Sequence, residues 1–492
     1  MPRPDVILIN PAHHRPIFQG LADEFTAVEP PVFAGLFATY LRLRGVGVEI
    51  IDAPTEDLTP EQVADLVVGM KPILAVIVCY GAQPSASTQH MTAAGEISRL
   101  IKEGNHTISI LMTGPHVAAL PEQTMREEMV DFVCDLEGPA TIFKTVMALQ
   151  NGIYNFHDIP SLWWRPGGDQ ILAPKTKERL LDNLDAQMPG IAWDLLPMQK
   201  YRSHNWHSFD HINQRSPYAA VHTSLSCPFS CGFCMINAPF GGPAYRMWGV
   251  DAVMKELDYL GDDLGIVNVK FVDEMFVLNP RHVKSICQAL VSREYKVNIW
   301  AYARVDTVKD DMLDVLKAAG VNWLCLGIES ASDYVRDGAD KKYSNEDIIR
   351  VVEKIRSHGI YVIGNYIFGL PDDTQERMHQ TLDLALELNC EYANFYSAMA
   401  YPGSQLYREA VMQGRELPVR WEDYSQHGYG TLPLANDYLT SVEILAFRDM
   451  AFSMYFTNPS YMMMVEQKFG AEVVDHIIRL RKVPLRRKLL GD

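Results

Sequence analysis

No apolar run in the 492 residues reaches the length of a membrane span; the longest, PILAVIVCY (72–80), is about half of what a bilayer requires. The amino terminus, MPRPDVILINPAHH, lacks a charged n-region, a long apolar stretch and a small-residue cleavage site. A soluble, cytoplasmic protein is expected. Low-complexity tracts and repeats of about 20–50 residues are missing too, which excludes solenoids and propellers. Cysteine is sparse: eight residues cannot build a disulfide framework. Cys79, Cys134, Cys287, Cys325 and Cys390 stand singly in apolar contexts and read as small buried residues. Positive charge is in deficit, with 44 Lys and Arg against 61 Asp and Glu, a formal net charge of −17. Nucleic-acid binding draws its affinity from neutralised phosphates, so that partner class is not expected. One basic stretch, RLRKVPLRRKLL (479–490), reads as a solvated helix end or tail, or as a contact for a membrane surface or an acidic partner.

Hydrophobic residues make up 48% and charged residues 21%, enough apolar material for a sizeable core, and the length implies two or three domains. From 1 to 152, short apolar strands such as DVILIN (5–10) and ILAVIVCYG (73–81) alternate with helical patterns such as VFAGLFATYLRLRG (32–45). This order predicts a doubly wound, mostly parallel sheet with helices on both faces. Ligands of such sheets sit beyond the carboxyl ends of the strands, here NPAHH, CYGAQPS, TGPH and LEGPAT. Residues 153–216 read as a linker with a small hairpin at 161–172 and a strap. Six strand–helix units follow between 217 and 410, too few for a closed eight-stranded barrel. They predict an open partial (β/α)6 barrel with active groups at the strands' carboxyl ends. Residues 411–492 are expected to be mainly helical.

SLSCPFSCGFCMINAPFGG (224–242) places Cys227, Cys231 and Cys234 in a C-x3-C-x2-C loop directly after a predicted strand. Thiolates hold zinc or iron–sulfur clusters. Structural zinc closes with four ligands, usually as two pairs, and no second pair lies downstream. A four-iron cluster takes four cysteines, so three leave one iron open to a small molecule.

With the aromatic Phe233 before its last cysteine, this loop resembles the cluster loop of radical S-adenosylmethionine (SAM) enzymes. FVDEMF (271–276), Arg304 in YARVD, LGIESAS (326–332), GNYIFGLP (364–371) and AYPGSQLY (400–407) resemble the family's later segments, in order, over about 200 residues. The first 152 residues resemble the cobalamin-binding domains that precede such barrels. TGPH stands where relatives often have two glycines and a histidine. In LEGPAT, Leu136 and Pro139 depart from the usual G-E-G-E-x-T, which puts the loop contacts in question more than the domain.

The resemblance implies that Cys227, Cys231 and Cys234 bind a [4Fe-4S] cluster whose open iron chelates SAM, giving a 5′-deoxyadenosyl radical. It nominates Asp273 and Glu274 for the SAM ammonium group, Arg304 for its carboxylate, and Glu329 and Ser330 for its ribose. Gly364 and Gly369 are nominated for close approach of the adenine, with Phe233 near the cluster. For cobalamin, bound base-off, the nominees are His13, Tyr80, Gly81, Gly114, Pro115, His116, Glu137 and Gly138. His13, His14 and His116 are expected to touch the corrin rim or solvent rather than cobalt, because no D-x-H-x-x-G motif is present. The implied activity is methyl transfer from methylcobalamin to an unactivated carbon, less often phosphorus, of a small molecule, with a flavodoxin or ferredoxin as electron donor. Radical cyclisation or rearrangement is the enzymatic alternative, and a cobalamin or SAM sensor the non-enzymatic one. Transfer-RNA methylthiolation would need a further amino-terminal cysteine triplet, which is missing.

Overall fold

The computed structural model describes residues 3–11, 14–81, 86–338 and 341–492. Seven strands form the first sheet: β1 (Val6–Asn10), β2 (Val48–Asp52), β3 (Leu74–Val78), β4 (Ser109–Thr113), β5 (Phe132–Cys134), β6 (Leu162–Gly167) and β7 (Gln170–Leu172). Their order is β2-β1-β3-β4-β5-β6-β7, with the first five parallel and the last two antiparallel. Alternate side chains explain why both faces are covered. Val6, Leu8, Val76 and Val78 pack toward the helices Val32–Arg42 and Pro139–Gln150, while Ile7, Ile9, Ala75 and Ile77 pack toward Pro60–Met70 and Met91–Gly104. The strand order reverses between β1 and β3, the place where open sheets of this type take ligands. The hairpin expected at 161–172 is present as β6 and β7, and it extends this sheet.

The second sheet runs β15-β14-β13-β12-β11-β8, all parallel. Its strands are β8 (Tyr218–Val221), β11 (Asn268–Phe271), β12 (Asn298–Ala303), β13 (Val321–Glu329), β14 (Tyr361–Phe368) and β15 (Tyr392–Ser397). The strand predicted directly before the cysteine loop is broken. Thr223 N–H leaves the ladder to bond Asp273, and β9 (Ser224–Leu225) turns to pair antiparallel with β10 (Arg246–Met247). The floor of the open barrel is plugged by residues 204–211. Trp206 packs on Trp300 and Trp323, and His207 Nε2 lies 2.9 Å from Asn298 O. Glu29 enters the lumen and pairs with buried Lys270 at 3.0 Å.

The carboxyl-terminal helices Ser441–Thr457, Pro459–Phe469 and Ala471–Lys482 buttress β15, where Tyr455 OH donates to Cys390 O. A capping box, Thr440 with Glu443, starts the first of them. The basic tail does not hang free. Arg487 is buried and forks onto Asp449 at 2.9 and 3.0 Å, Arg486 N–H donates to Gln19, and Arg479 pairs with Glu24. No helix among the described residues is long and apolar enough to cross a membrane. The five single cysteines are buried, as expected.

Candidate functional site

The three cysteines occupy the loop that follows β9, at the carboxyl end of the second sheet. Asn237 pins the loop across its width, accepting from Cys227 N and donating to Phe229 O at 3.0 Å. Cys234 N–H donates to Cys231 O, and Leu406 N–H, in the distant helix Gln405–Met412, donates to Gly232 O. Burial pushes the Cys227 thiol up to about 11 and the Cys234 thiol to about 12, and the neighbouring thiols add to it. Such a donor set ionises only beside concentrated positive charge. Among the described residues no three His, Cys, Asp or Glu side chains converge on a point fit for a single ion. Three free thiols in one loop suit a cluster, in which each iron takes its own thiolate, so the residues present fit the implied group.

Arg304 lies against this loop. Its guanidinium sits 3.8 Å over the Phe229 ring, with Nη1 3.8 Å from Cys231 Sγ, while Nε and Nη2 bond Asp306 at 2.9 and 3.0 Å. Much of its fork is thus engaged by Asp306, and its charge stands beside a thiol.

Asp273 and Glu274 are adjacent in sequence and differ in environment. Both Asp273 oxygens are used within the fold, accepting from Thr223 N, Thr223 Oγ1 and Ser224 Oγ, each at 2.6 Å. Glu274 Oε2 is buried with no partner, and burial pushes its carboxyl up to about 8. Tyr245 OH and Ser226 Oγ are also buried and unpartnered. Tyr245 lies close enough to feel the charges of Asp273, Glu274 and Cys227, although burial is the main force raising its pKa to about 12. Buried polar atoms without partners are costly, and these lie beside the cysteine loop. Unmet polar atoms at this end of the sheet suit a polar ligand.

On the far strands, Glu329 holds a left-handed conformation (φ +66°) and is ion-paired with Lys341. Ser330 Oγ accepts from Ser332 N and shares a bond with Thr381, closing the strand end. A Cβ on Gly364 would meet the Tyr366 hydroxyl, and one on Gly369 (φ +83°) would lie 2.5 Å from Ile444. At Gly369 the close approach is made by a carboxyl-terminal helix. Phe233 joins the small apolar clusters of Leu370 and Leu406. Between these walls Tyr302, Gly327, Asn365, Ile367, Asn394 and Tyr396 remain half-buried on alternate strand positions, so the inner face is reachable.

The first sheet brings its loops to the same region. His13 lies outside the described residues, as do residues 82–85. Tyr80 is buried, stacks on Phe33 at 3.9 Å and donates to Glu137 O at 3.0 Å, and Gly81 packs against Ala86. Gly114 (φ +143°) lets its backbone pass Cys79, whose carbonyl oxygen would be 2.3 Å from any Cβ. Pro115 begins the helix Pro115–Ala119. His116 is buried against Trp421, with Nδ1 3.3 Å from Thr88 Oγ1, and burial lowers its pKa to about 3. Gly138 caps the helix Pro139–Gln150 and faces Phe37. The Glu137 carboxylate accepts from Leu181 N and pairs with Arg246 at 2.8 Å.

Sequence reasoning missed Tyr245, Arg246, His222 and Trp421. Tyr245 and Arg246 carry a faint signal, a polar pair in PAYRMW directly after the cysteine loop; the other two carry none.

Residues 221–385 match the family model of the Radical SAM superfamily, and residues 19–143 match that of the B12 binding domain. An uncharacterized methyltransferase of Pyrococcus horikoshii, PH0819, is 30% identical over 80% of this chain and 82% of its own. The anaerobic magnesium-protoporphyrin IX monomethyl ester cyclase of Rubrivivax gelatinosus is 24% identical over 93% of this chain and 78% of its own. Among solved structures, the radical SAM methyltransferase TsrM of Kitasatospora setae, with cobalamin and a [4Fe-4S] cluster bound, superposes with a TM-score of 0.67 at 16% identity. It covers 92% of this chain and 89% of that one.

Proposed function

The chain belongs to the radical SAM superfamily and carries a B12-binding domain, and from that premise we propose that it is a cobalamin-dependent methyltransferase acting on an unactivated carbon of a small molecule. The observation that carries the reading is the meeting of the cysteine loop with the first sheet's ligand loops, through Arg246 and Glu137. Cys227, Cys231 and Cys234 would hold the cluster, and the loops after β1, β3, β4 and β5 would hold cobalamin. When bound, these groups with SAM supply one-electron bond cleavage and a transferable methyl group.

The chain's own residues bind, orient and shield. Glu274 and Tyr245, whose polar atoms are buried without partners, would meet the ammonium end of SAM. Asp273 acts one step back, holding Thr223 and Ser224 so that the cysteine loop leaves the sheet at a fixed angle. Arg304 places positive charge beside Cys231. Trp421, stacked on Tyr424 at 5.8 Å, packs edge-on against His116 and keeps water from it. The protein is cytoplasmic in this reading and takes electrons from a flavodoxin or ferredoxin.

A second reading, radical cyclisation, is favoured by the cyclase relative that matches 93% of this chain. The test is anaerobic incubation of reconstituted protein with methyl-labelled SAM, a reductant and extract of the source cells, followed by mass spectrometry. A product heavier by one labelled methylene supports methyl transfer. A new ring without label supports cyclisation, and no cleavage of SAM overturns both.

A further inference from the structure

His222 follows β8 and is 4% exposed. Its Nδ1 lies 3.2 Å from Ser224 O, an oxygen that can only accept, so Nδ1 carries the proton. Nε2 is then a bare lone pair, buried and without a hydrogen-bond partner. Burial lowers the ring's pKa to about 4, which keeps it neutral at physiological pH. A buried acceptor left unmet is costly, and such atoms usually have a ligand or water to meet.

The surroundings indicate which ligand. On one side the ring is stacked toward Trp248 at 6.4 Å. On the other it meets Phe33 edge-on at 5.3 Å, and Phe33 stacks on Tyr80. Phe33 lies in the first turn of the helix Val32–Arg42, which packs on β1, and Tyr80 lies just past β3. These strands are the pair between which the first sheet reverses its order. The barrel histidine therefore stands at the crevice in which the first sheet takes its ligand.

We propose that His222 is a positioning residue for cobalamin supplied by the barrel: Nε2 accepts a hydrogen bond from an N–H of a peripheral carboxamide of the corrin, fixing the cofactor's edge against the radical domain. The proposal rests on the reading that the first sheet binds cobalamin. A carboxamide is the fitting donor because the corrin rim is lined with such groups, whereas the nucleotide tail's phosphate can only accept. Trp248 fixes the ring plane, and its Nε1 is in turn tied to Met188 O at 2.7 Å.

The test uses the full chain with its cluster reconstituted and follows absorbance on titration with hydroxocobalamin and with cobinamide, which keeps the amides and lacks the nucleotide. His222→Phe keeps the packing and removes the acceptor; His222→Gln restores one. The Phe variant is expected to weaken both corrinoids about tenfold, the worth of one hydrogen bond, and the Gln variant to recover most of it. Should the Phe variant fail to fold, judged by cluster content, wild-type protein labelled with 15N-histidine decides. Cobinamide is expected to move the Nε2 resonance of His222, assigned by its loss in the Gln variant. Undiminished binding by the Phe variant, a loss confined to hydroxocobalamin, or a stationary Nε2 resonance overturns the proposal. Failure of the wild type to bind either corrinoid overturns the reading beneath it as well.

Discussion

Arg246 and Glu137, 109 residues apart, form an ion pair at 2.8 Å between the hairpin after the cysteine loop and the last ligand loop of the first sheet. The same guanidinium donates to Leu181 O at 2.7 Å, and the Glu137 carbonyl accepts from Tyr80. Three segments are thus locked at one point. Both side chains are largely buried, so removing one partner leaves an uncompensated charge. Arg246→Met is expected to cost about 3 kcal/mol in urea unfolding, and the double variant with Glu137→Leu clearly less than the sum of the singles. Strict additivity would show that the pair is not coupled.

The cysteine loop makes a sharper prediction. Replacing any one of Cys227, Cys231 or Cys234 by Ala is expected to abolish a stable cluster, read as iron and sulfide per chain and as visible absorbance. Reductive cleavage of SAM should fall below detection. Cys325→Ala, which removes a buried thiol that accepts from Asn365 Nδ2, should keep both. Zinc in anaerobically purified protein, or turnover by a triplet variant, would contradict the assignment.

Glu256 gives stability a pH dependence. Burial raises its pKa to about 7, although Ile191 N and Trp193 Nε1 donate to it at 2.8 and 2.9 Å. The folded value lies above the unfolded one, so the stabilising protonated form is fully present below about pH 4.5 and is lost as pH rises through 7. Glu256→Gln cannot ionise. It should match wild type at about pH 4 and exceed it by about 2 kcal/mol at pH 8.5, measured by chemical denaturation.

Gly369 lies where β14 meets the helix Ser441–Thr457. Its φ of +83° disfavours any side chain, and a Cβ would fall 2.5 Å from Ile444 Cδ1. Gly369→Ala is expected to cost about 2–3 kcal/mol. Adding Ile444→Ala should cost less than the sum of the two, because truncation makes room for the methyl. A simple sum would place the strain in the backbone alone.

The periodicity of apolar residues made both sheets legible before any coordinates, because strand and helix repeats depend on near neighbours in the chain. The break in the first barrel strand was not legible. Thr223 leaves the ladder because a carboxylate 50 residues away takes its N–H. The same distance effect separated Asp273 from Glu274. Both sit in one acidic segment, yet one is saturated by hydroxyls and an amide while the other is buried with a bare oxygen. The basic stretch is the solvated helix end that composition suggests, with Arg479, Arg481, Lys482, Arg486 and Lys488 exposed; the burial of Arg487 against Asp449 from another helix was not legible.

By itself the sequence determined that three thiols stand in one short loop after a strand, since covalent spacing alone keeps them together. It also determined that two alternating strand–helix runs lie in this order. Only the tertiary structure decided which charged groups are spent on each other, which polar atoms are left bare, and that a barrel histidine packs on Phe33 of the first domain. Those outcomes depend on burial and on contacts between distant segments, which no local pattern encodes.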